Sequence, residues 1–413
     1  MVPKSLNKPR KLLLFKILLA LFIVVNIFSF TRPFSEGKQL YFGKFLLVGL
    51  IFILITLGLL TGKKFVRISK ATRNISLFFA IWLLFMIISL FGGFYPISGG
   101  LVAFSYIILF LLAFILLPNY LNGENQKLEY KKIFFWSILV SIIASILWGF
   151  ADSNSLYIVG ERVRYQALFH NPNFLGLFSF LGVIVSVGVF ALSGKKRYLF
   201  SVPFYLTLIY FSDSRAPFFG TIIFAIALFC LWLYSKIKIR EERMLLRVLV
   251  FLLLLFVFIG GSFITYNCWE YFHEPSYLMN KFLSLRPFYW TRALDGLKNY
   301  DWLFGQGLGK EGFGAVSYDN FYLNTLIQTG LLGLFALLTF LLLVFHHLFK
   351  SFKNLLNNDY LHRAITASLA IFITIGVYSF FESVLFSLGS IVSIYLWTDI
   401  GFCINKKNHE NRN

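Results

Sequence analysis

Arginine, asparagine and aspartate recur in four short strings that stand at the ends of long apolar blocks or, in one case, in the long polar segment between two of them. The first is Gly160-Glu161-Arg162-Val163-Arg164, followed by Phe169-His170-Asn171-Pro172-Asn173. The second is Ser212-Asp213-Ser214-Arg215-Ala216-Pro217. The third runs Arg286-Pro287-Phe288-Tyr289-Trp290, then Arg292, then Trp302-Leu303-Phe304-Gly305-Gln306-Gly307-Leu308-Gly309. The fourth is Tyr318-Asp319-Asn320-Phe321-Tyr322-Leu323-Asn324. Guanidinium groups hold phosphates by paired, charge-assisted N–H bonds. Helix starts add free backbone N–H groups and the positive end of the helix dipole. Together the strings could bind a pyrophosphate. No Asp/Glu cluster resembles a Mg²⁺ or Mn²⁺ site, so the positive charge would come from arginine and no cofactor is called for.

Each residue also has a plain structural reading. Asn173 can cap the helix that follows it, and Pro172 stops that helix from extending. Arg164 serves either a ligand or a surface ion pair, and His170 reads as a surface residue. Arg215 is a ligand-binding arginine, a snorkelling anchor or a partner of Asp213. The three glycines near 305–309 form a plain turn or one whose N–H groups point at an anion. Tyr289 to Tyr300 reads as a short amphipathic helix. Asp319 is a good N-cap, while Asn320, Asn324 and Gln328 recur at i, i+4 and i+8 and make a polar stripe that would face a wet cavity rather than lipid. Glu382 could add a carboxylate.

The elements that must position these strings are membrane helices. The chain has 413 residues, 58% hydrophobic and only 14% charged, too few charges for a water-facing surface. A hydrocarbon core about 30 Å thick takes roughly 20 helical residues to cross. Twelve apolar blocks suit that length, near 12–30, 40–60, 75–91, 99–117, 133–150, 173–193, 198–211, 216–234, 245–264, 319–346, 364–380 and 384–403. They are continuously apolar, which predicts helices rather than a barrel. The expected fold is an all-α integral membrane protein of about twelve spans, a single polytopic domain over 1–413 with a large outer loop at 265–318. The first block, with its poor small-residue cleavage site, reads as a retained anchor rather than a signal.

Orientation follows from lysine and arginine, which favour cytoplasmic loops. With the N-terminus inside, the inner segments hold 26 of the 38 basic residues and the outer ones 11, with Lys16 inside the first block. With Asp319, the outer side also carries 11 acidic residues and is neutral, so the whole +20 lies on the cytoplasmic side. That charge reflects topology and gives no reason to expect nucleic acid as a partner. The ionisable residues of the bundle are expected at its outer edge, without paired charges in the core. Cys230, Cys403 and Cys268 show no metal-binding spacing. Reporters fused at Lys64, Lys196 and Lys353 should read cytoplasmic, and reporters in 151–160 and 275–300 external. A cytoplasmic signal from the large loop would overturn this orientation.

In this order and on this topology, the strings resemble the O-antigen ligase and polysaccharide polymerase superfamily, including its arrangement of about twelve helices with a large outer loop between the ninth and tenth. Arg164 with Asn171 to Asn173, Ser214-Arg215, Arg286 with Trp290, and Gly305 with Gly307 fit its pattern. So does Asp319-Asn320 followed by Gly330 and Gly333, although the ligases carry a histidine where Asp319 stands. The resemblance implies a membrane-embedded glycosyltransferase of the GT-C class in a bacterial cell membrane, more like the capsular and exopolysaccharide polymerases. Its donor would be a glycan on undecaprenyl pyrophosphate, and its acceptor another lipid-linked repeat unit. Membrane lipids and other envelope glycan assembly proteins are the implied partners. Arg215, Arg286 and Asp319 would be catalytic, with Arg215 and Arg286 binding developing pyrophosphate charge and Asp319 taking the acceptor proton. Arg162, Arg164, Asn173, Trp290, Arg292, Asn320, Asn324 and Glu382 would bind substrate, and Tyr289, Trp290 and Trp302 could stack on sugars. A ligase, a twelve-helix transporter or flippase and a non-catalytic receptor are the rival readings. Against transport stand the short link near Gly194 and the expected lack of paired core charges.

Overall fold

The computed structural model describes residues 7–35, 38–61, 66, 68–91, 96–121, 123–151, 155–159, 162–236, 290, 293–297, 301–308, 319–355, 359–388 and 390–405. Among these, helices stand at eleven of the twelve apolar blocks, and the ninth, 245–264, lies outside the described residues. They are α1 Asn7–Phe28, α2 Lys38–Thr61, α3 Lys70–Phe91, α4 Pro96–Phe110, α5 Glu124–Ala151, α6 Pro172–Ser193, α7 Ser201–Ser212, α8 Arg215–Lys236, α9 Phe321–Asn354, α10 Asp359–Tyr378 and α11 Ile391–Ile404. Eight described helices, counting the continuation of α4 to Tyr120, are long and apolar enough to cross a membrane. A helix closes its backbone hydrogen bonds within itself, which is why unbroken apolar blocks take this form.

At the centre lies α6, packed on α5, α7, α8 and α10. Small residues let it be surrounded. The ring of Tyr205 covers Gly182, and Gly176 meets the Ser212–Pro217 turn, where a Cβ would lie 2.7 Å from Ser214 Cβ. The helix α5, which packs on it, buries Ser137, Ser141, Ser145 and Gly149, spaced four apart. Close helix approach through small side chains is the usual solution inside a bilayer, where apolar burial gives little drive for association.

The fourth block holds a π-helical stretch, Leu111–Leu116, before it ends at Leu117–Tyr120. Asn405 donates from Nδ2 to the Phe114 carbonyl there (2.7 Å) and accepts from Thr72 Oγ1 (2.7 Å). Gly401 lies so close to the Ala113 carbonyl that no Cβ would fit.

Three expectations need correction. The last block is helical only from Ile391; residues 380–388 turn irregularly inside the bundle, with Val384, Leu385, Phe386 and Leu388 buried. Non-helical backbone at depth is tolerated where protein satisfies it. Here Ser393 Oγ donates to the Val384 carbonyl (2.5 Å) and Trp397 Nε1 to that of Leu385 (2.6 Å). Secondly, α5 begins at Glu124, nine residues before the apolar block, and so carries Lys131 into the bundle. Lys131 and Asp399 form an ion pair of 2.5 Å whose side chains are 2% and 3% exposed. The core therefore does hold paired charges, contrary to the expectation drawn from apolarity alone. Thirdly, α9 is one helix only in outline, because Gly330 breaks it with φ 69° and ψ −173°.

Candidate active site

Packing contacts show that α6, α8 and α9 begin at one end of the bundle. Gly176 of α6 abuts Ser214, Gly220 of α8 abuts Tyr378 at the end of α10, and Phe321 N donates to the Ser379 carbonyl (2.9 Å). This is the end that the charge count leads one to expect outside, and it is termed the outer end.

The first string folds as a two-stranded antiparallel hairpin, β1 Leu156–Val159 and β2 Arg162–Tyr165, with Arg162 opposite Val159 and Arg164 opposite Tyr157. This hairpin is an element not expected above, although Leu-Tyr-Ile-Val and Arg-Val-Arg-Tyr around Gly160 carry its signal. From β2, Arg164 reaches three groups. Its Nε donates to the Ser212 carbonyl (2.9 Å), and its Nη2 donates to Asn173 Oδ1 (2.8 Å) and the Asp213 carbonyl (3.1 Å). Ser214 Oγ donates to the same Asn173 oxygen (3.3 Å). The first and second strings therefore form one polar latch.

Asn173 is not the helix cap. Asn171 is, its side chain accepting from Asn173 N (2.8 Å), with Pro172 as the first helical residue. That frees the Asn173 amide for the latch. Asp213 ends α7 in the left-handed region (φ 45°), which its side chain tolerates, and thereby turns its carbonyl to Arg164. Arg215 is the first residue of α8, directly after this latch and half-buried. His170 is exposed, with Nδ1 2.8 Å from the Phe30 carbonyl.

The fourth string differs from its expectation in the same way. Asn320, not Asp319, caps α9, accepting from Leu323 N (3.0 Å). Asp319 precedes the cap in the left-handed region (φ 47°). Asn324 Nδ2 donates to Ser383 Oγ (2.9 Å), and Tyr322 OH to the Gly376 carbonyl (2.7 Å). Asn320 and Asn324 thus bond within the protein, where the stripe was expected to face a wet cavity. Glu382 stands half-buried in the turn after α10, beside Ser383. Since α10 packs on both α8 and α9, the starts carrying Arg215 and Asp319 flank its outer end.

Of the third string, Arg286 and Arg292 lie outside the described residues. The residue Trp290 and residues 293–295 are helical, as expected, and Trp290 joins Ala293 and Leu297 in an apolar patch against Leu323, Leu326 and Ile327 of α9. The glycine turn does not cradle an anion. Gly305 N donates to the Asp301 carbonyl (2.7 Å), Gln306 N to that of Ile327 (2.7 Å), and Gly307 N to that of Gln328 (3.1 Å). The break at Gly330 releases α9 carbonyls, and the turn satisfies two of them. The backbones meet so closely that a Cβ on Gly305 would overlap Gln328, and one on Gly330 would overlap Leu303. Gly330→Ala should therefore lower the melting temperature in detergent by several degrees, whereas Gly49→Ala, mid-helix with open space around it, should leave it unchanged or raise it. Equal melting of the two variants would refute this docking.

Two basic residues of the first outer segment escaped notice. Arg32 Nη2 donates to the Ala167 carbonyl (2.7 Å), and Lys44, 3% exposed, places Nζ 5.0 Å from the centre of the Phe30 ring. Their signal was charge on the side where the orientation rule expects little. Among the described residues, Arg32, Lys44, Arg164 and Arg215 all lie at the outer end, a positive environment for an anion.

Residues 200–338, about a third of the chain, match the model of a family described as O-antigen ligase. No curated protein matches the chain. The segment runs from just before α7 past Gly333 and contains Arg215, Arg286, Trp290, Arg292, Asp319, Asn320 and Asn324. The resemblance read from the motifs is thereby shown there: the chain is similar to O-antigen ligases across its second to fourth strings. At that coarse level it supports a multi-pass membrane protein with a glycan-transfer function.

Proposed function

We propose that this chain, similar to O-antigen ligases over 200–338, polymerises glycan repeat units. The acceptor hydroxyl of one lipid-linked unit attacks the anomeric carbon of another; the new glycosidic C–O bond forms as the bond to pyrophosphate breaks. The undecaprenyl pyrophosphate leaves with the bonding electrons, and the hydroxyl proton passes to the Asp319 carboxylate. Arg215 and Arg286 neutralise the departing charge. Arg162, Arg292, Asn320, Asn324, Trp290 and Glu382 shape the surrounding site, with Arg164 and Asn173 holding the turn from which Arg215 starts. The observation that carries this reading is the Arg164–Asn173–Ser214 latch, which seats Arg215 at a helix start on the same end as Asp319. Binding energy spent on charge that develops during transfer is what accelerates such a step.

The test is reconstitution of the purified protein in vesicles with one defined lipid-linked repeat unit. A ladder of lengthened, lipid-linked products is expected, undiminished by chelator because arginine is the clamp. A ladder lost in chelator and restored by Mg²⁺ would remove that clamp. Transfer of single glycans to another lipid or a protein, with no ladder, would make the chain a ligase.

A further inference from the structure

At the opposite end of the bundle, α7 departs from its neighbours. It has 12 residues, about 18 Å of helix, and is preceded by a 3₁₀ turn, Lys196–Phe200. Between this turn and α5 lies a groove of about 410 Å³, lined by Phe135, Trp136, Leu139 and Ile143 of α5 and by Arg197, Tyr198, Phe200, Ser201 and Phe204 across from them. Phe135 closes it against Tyr198, edge to face at 5.1 Å. In its wall, Ser201 Oγ is bonded to the Tyr198 carbonyl (2.9 Å) and Ser186 Oγ (2.9 Å). At the groove Trp136 is 52% and Phe200 82% exposed.

Arg197 stands at its end, its guanidinium 5.2 Å from the Tyr198 ring centre and its Nη2 donating to Tyr198 OH (3.3 Å). Lys195 and Lys196 are exposed beside it. An apolar slot of ligand size, open to the hydrocarbon and ending in three consecutive cations, matches an acyl chain joined to an anionic headgroup. We infer that this groove is a binding site for one anionic phospholipid of the inner leaflet, one chain along α5 and its phosphate at Lys195–Arg197. Basic pockets between helices on the cytoplasmic side recognise headgroups in this way.

The site is tested by native mass spectrometry of the full chain, delipidated and returned to phosphatidylglycerol or phosphatidylcholine. One retained phosphatidylglycerol, with clear preference over phosphatidylcholine, is expected. Arg197→Gln should weaken that retention about fivefold, the scale of one basic residue at a headgroup. The Lys195→Gln/Lys196→Gln pair, which leaves the Tyr198 contact intact, should weaken it at least as much. Leu139→Trp, filling the slot, should abolish retention of either lipid. Lys350→Ala, exposed on α9 outside the groove lining, should retain it fully. Equal losses in Lys350→Ala and Arg197→Gln would reduce the effect to general surface charge and overturn the site. So would equal retention of the two lipids, no retained lipid, or a tightly held isoprenoid phosphate instead.

Discussion

Asp319→Asn should insert and accumulate like the parent protein, bind the lipid-linked donor nearly as well, and lose polymer formation by about 10²- to 10⁴-fold, the usual contribution of a general base. The backbone makes this substitution informative. Asp319 holds φ 47°, a conformation that asparagine adopts as readily as aspartate. Capping of α9 belongs to Asn320, so the asparagine at 319 forfeits no cap. What it loses is the ability to accept a proton as a carboxylate. Asn320→Ala is the complementary variant, costing about 1 kcal/mol of stability through the lost cap. Arg215→Lys should keep the fold and the charge, yet lose most activity, because an ammonium cannot make the paired N–H contacts of a guanidinium. Polymer formation and donor binding, measured together in Asp319→Asn, separate base from binder. Near-normal polymer would end the role of Asp319 and direct attention to Glu382, next to the Ser383 hydroxyl that Asn324 holds.

The parts legible in the sequence were those governed by a single strong constraint. Continuous apolarity located the helices because a bilayer admits little else, and α6 and α8 begin within one residue of their blocks. What escaped depended on partners remote in the chain. The strings suggested caps at Asn173 and Asp319, but Asn171 and Asn320 do the capping, since local spacing cannot tell which of two adjacent polar residues a distant arginine or a turn will recruit. The glycine run is open between a plain turn and an anion-facing one because its N–H groups have no partner nearby in the chain, and only the break at Gly330 shows what claims them. The hairpin of Leu156–Tyr165 was hidden by its shortness, and the irregular approach to α11 by its apolar composition, which is identical to that of a helix. Lys131 looked like an orientation signal at the edge of a loop, and about two and a half extra turns of α5 make it an interior residue.

That lysine underlies the second large effect. Lys131→Met alone, or Asp399→Leu alone, should destabilise the protein by about 3–5 kcal/mol, enough to deplete it from the membrane, because each strands an uncompensated buried charge. Asp399 meets Lys131 at 2.5 Å through one oxygen and accepts from Ser368 Oγ at 2.7 Å through the other, while Tyr130 OH and Thr398 Oγ1 pair at 2.7 Å one residue away on each helix. These bonds tie α11 to α5 and α10. With 14 helical residues and an irregular approach, α11 has fewer turns with which to hold itself in the bundle. The double variant, Lys131→Met with Asp399→Leu, removes both charges and fills the space with carbon, so stability should return to within about 1 kcal/mol of the parent. Thermal unfolding in detergent across the four proteins reads the coupling directly. Intramembrane charges are by default suspected of function, and a transporter would use such a pair for coupling. The double variant separates these roles, because a structural pair can be replaced by carbon without loss of polymerisation. A stable double variant that makes no polymer would give the pair a part in the reaction cycle, and single variants as stable as the parent would deny it even the structural one.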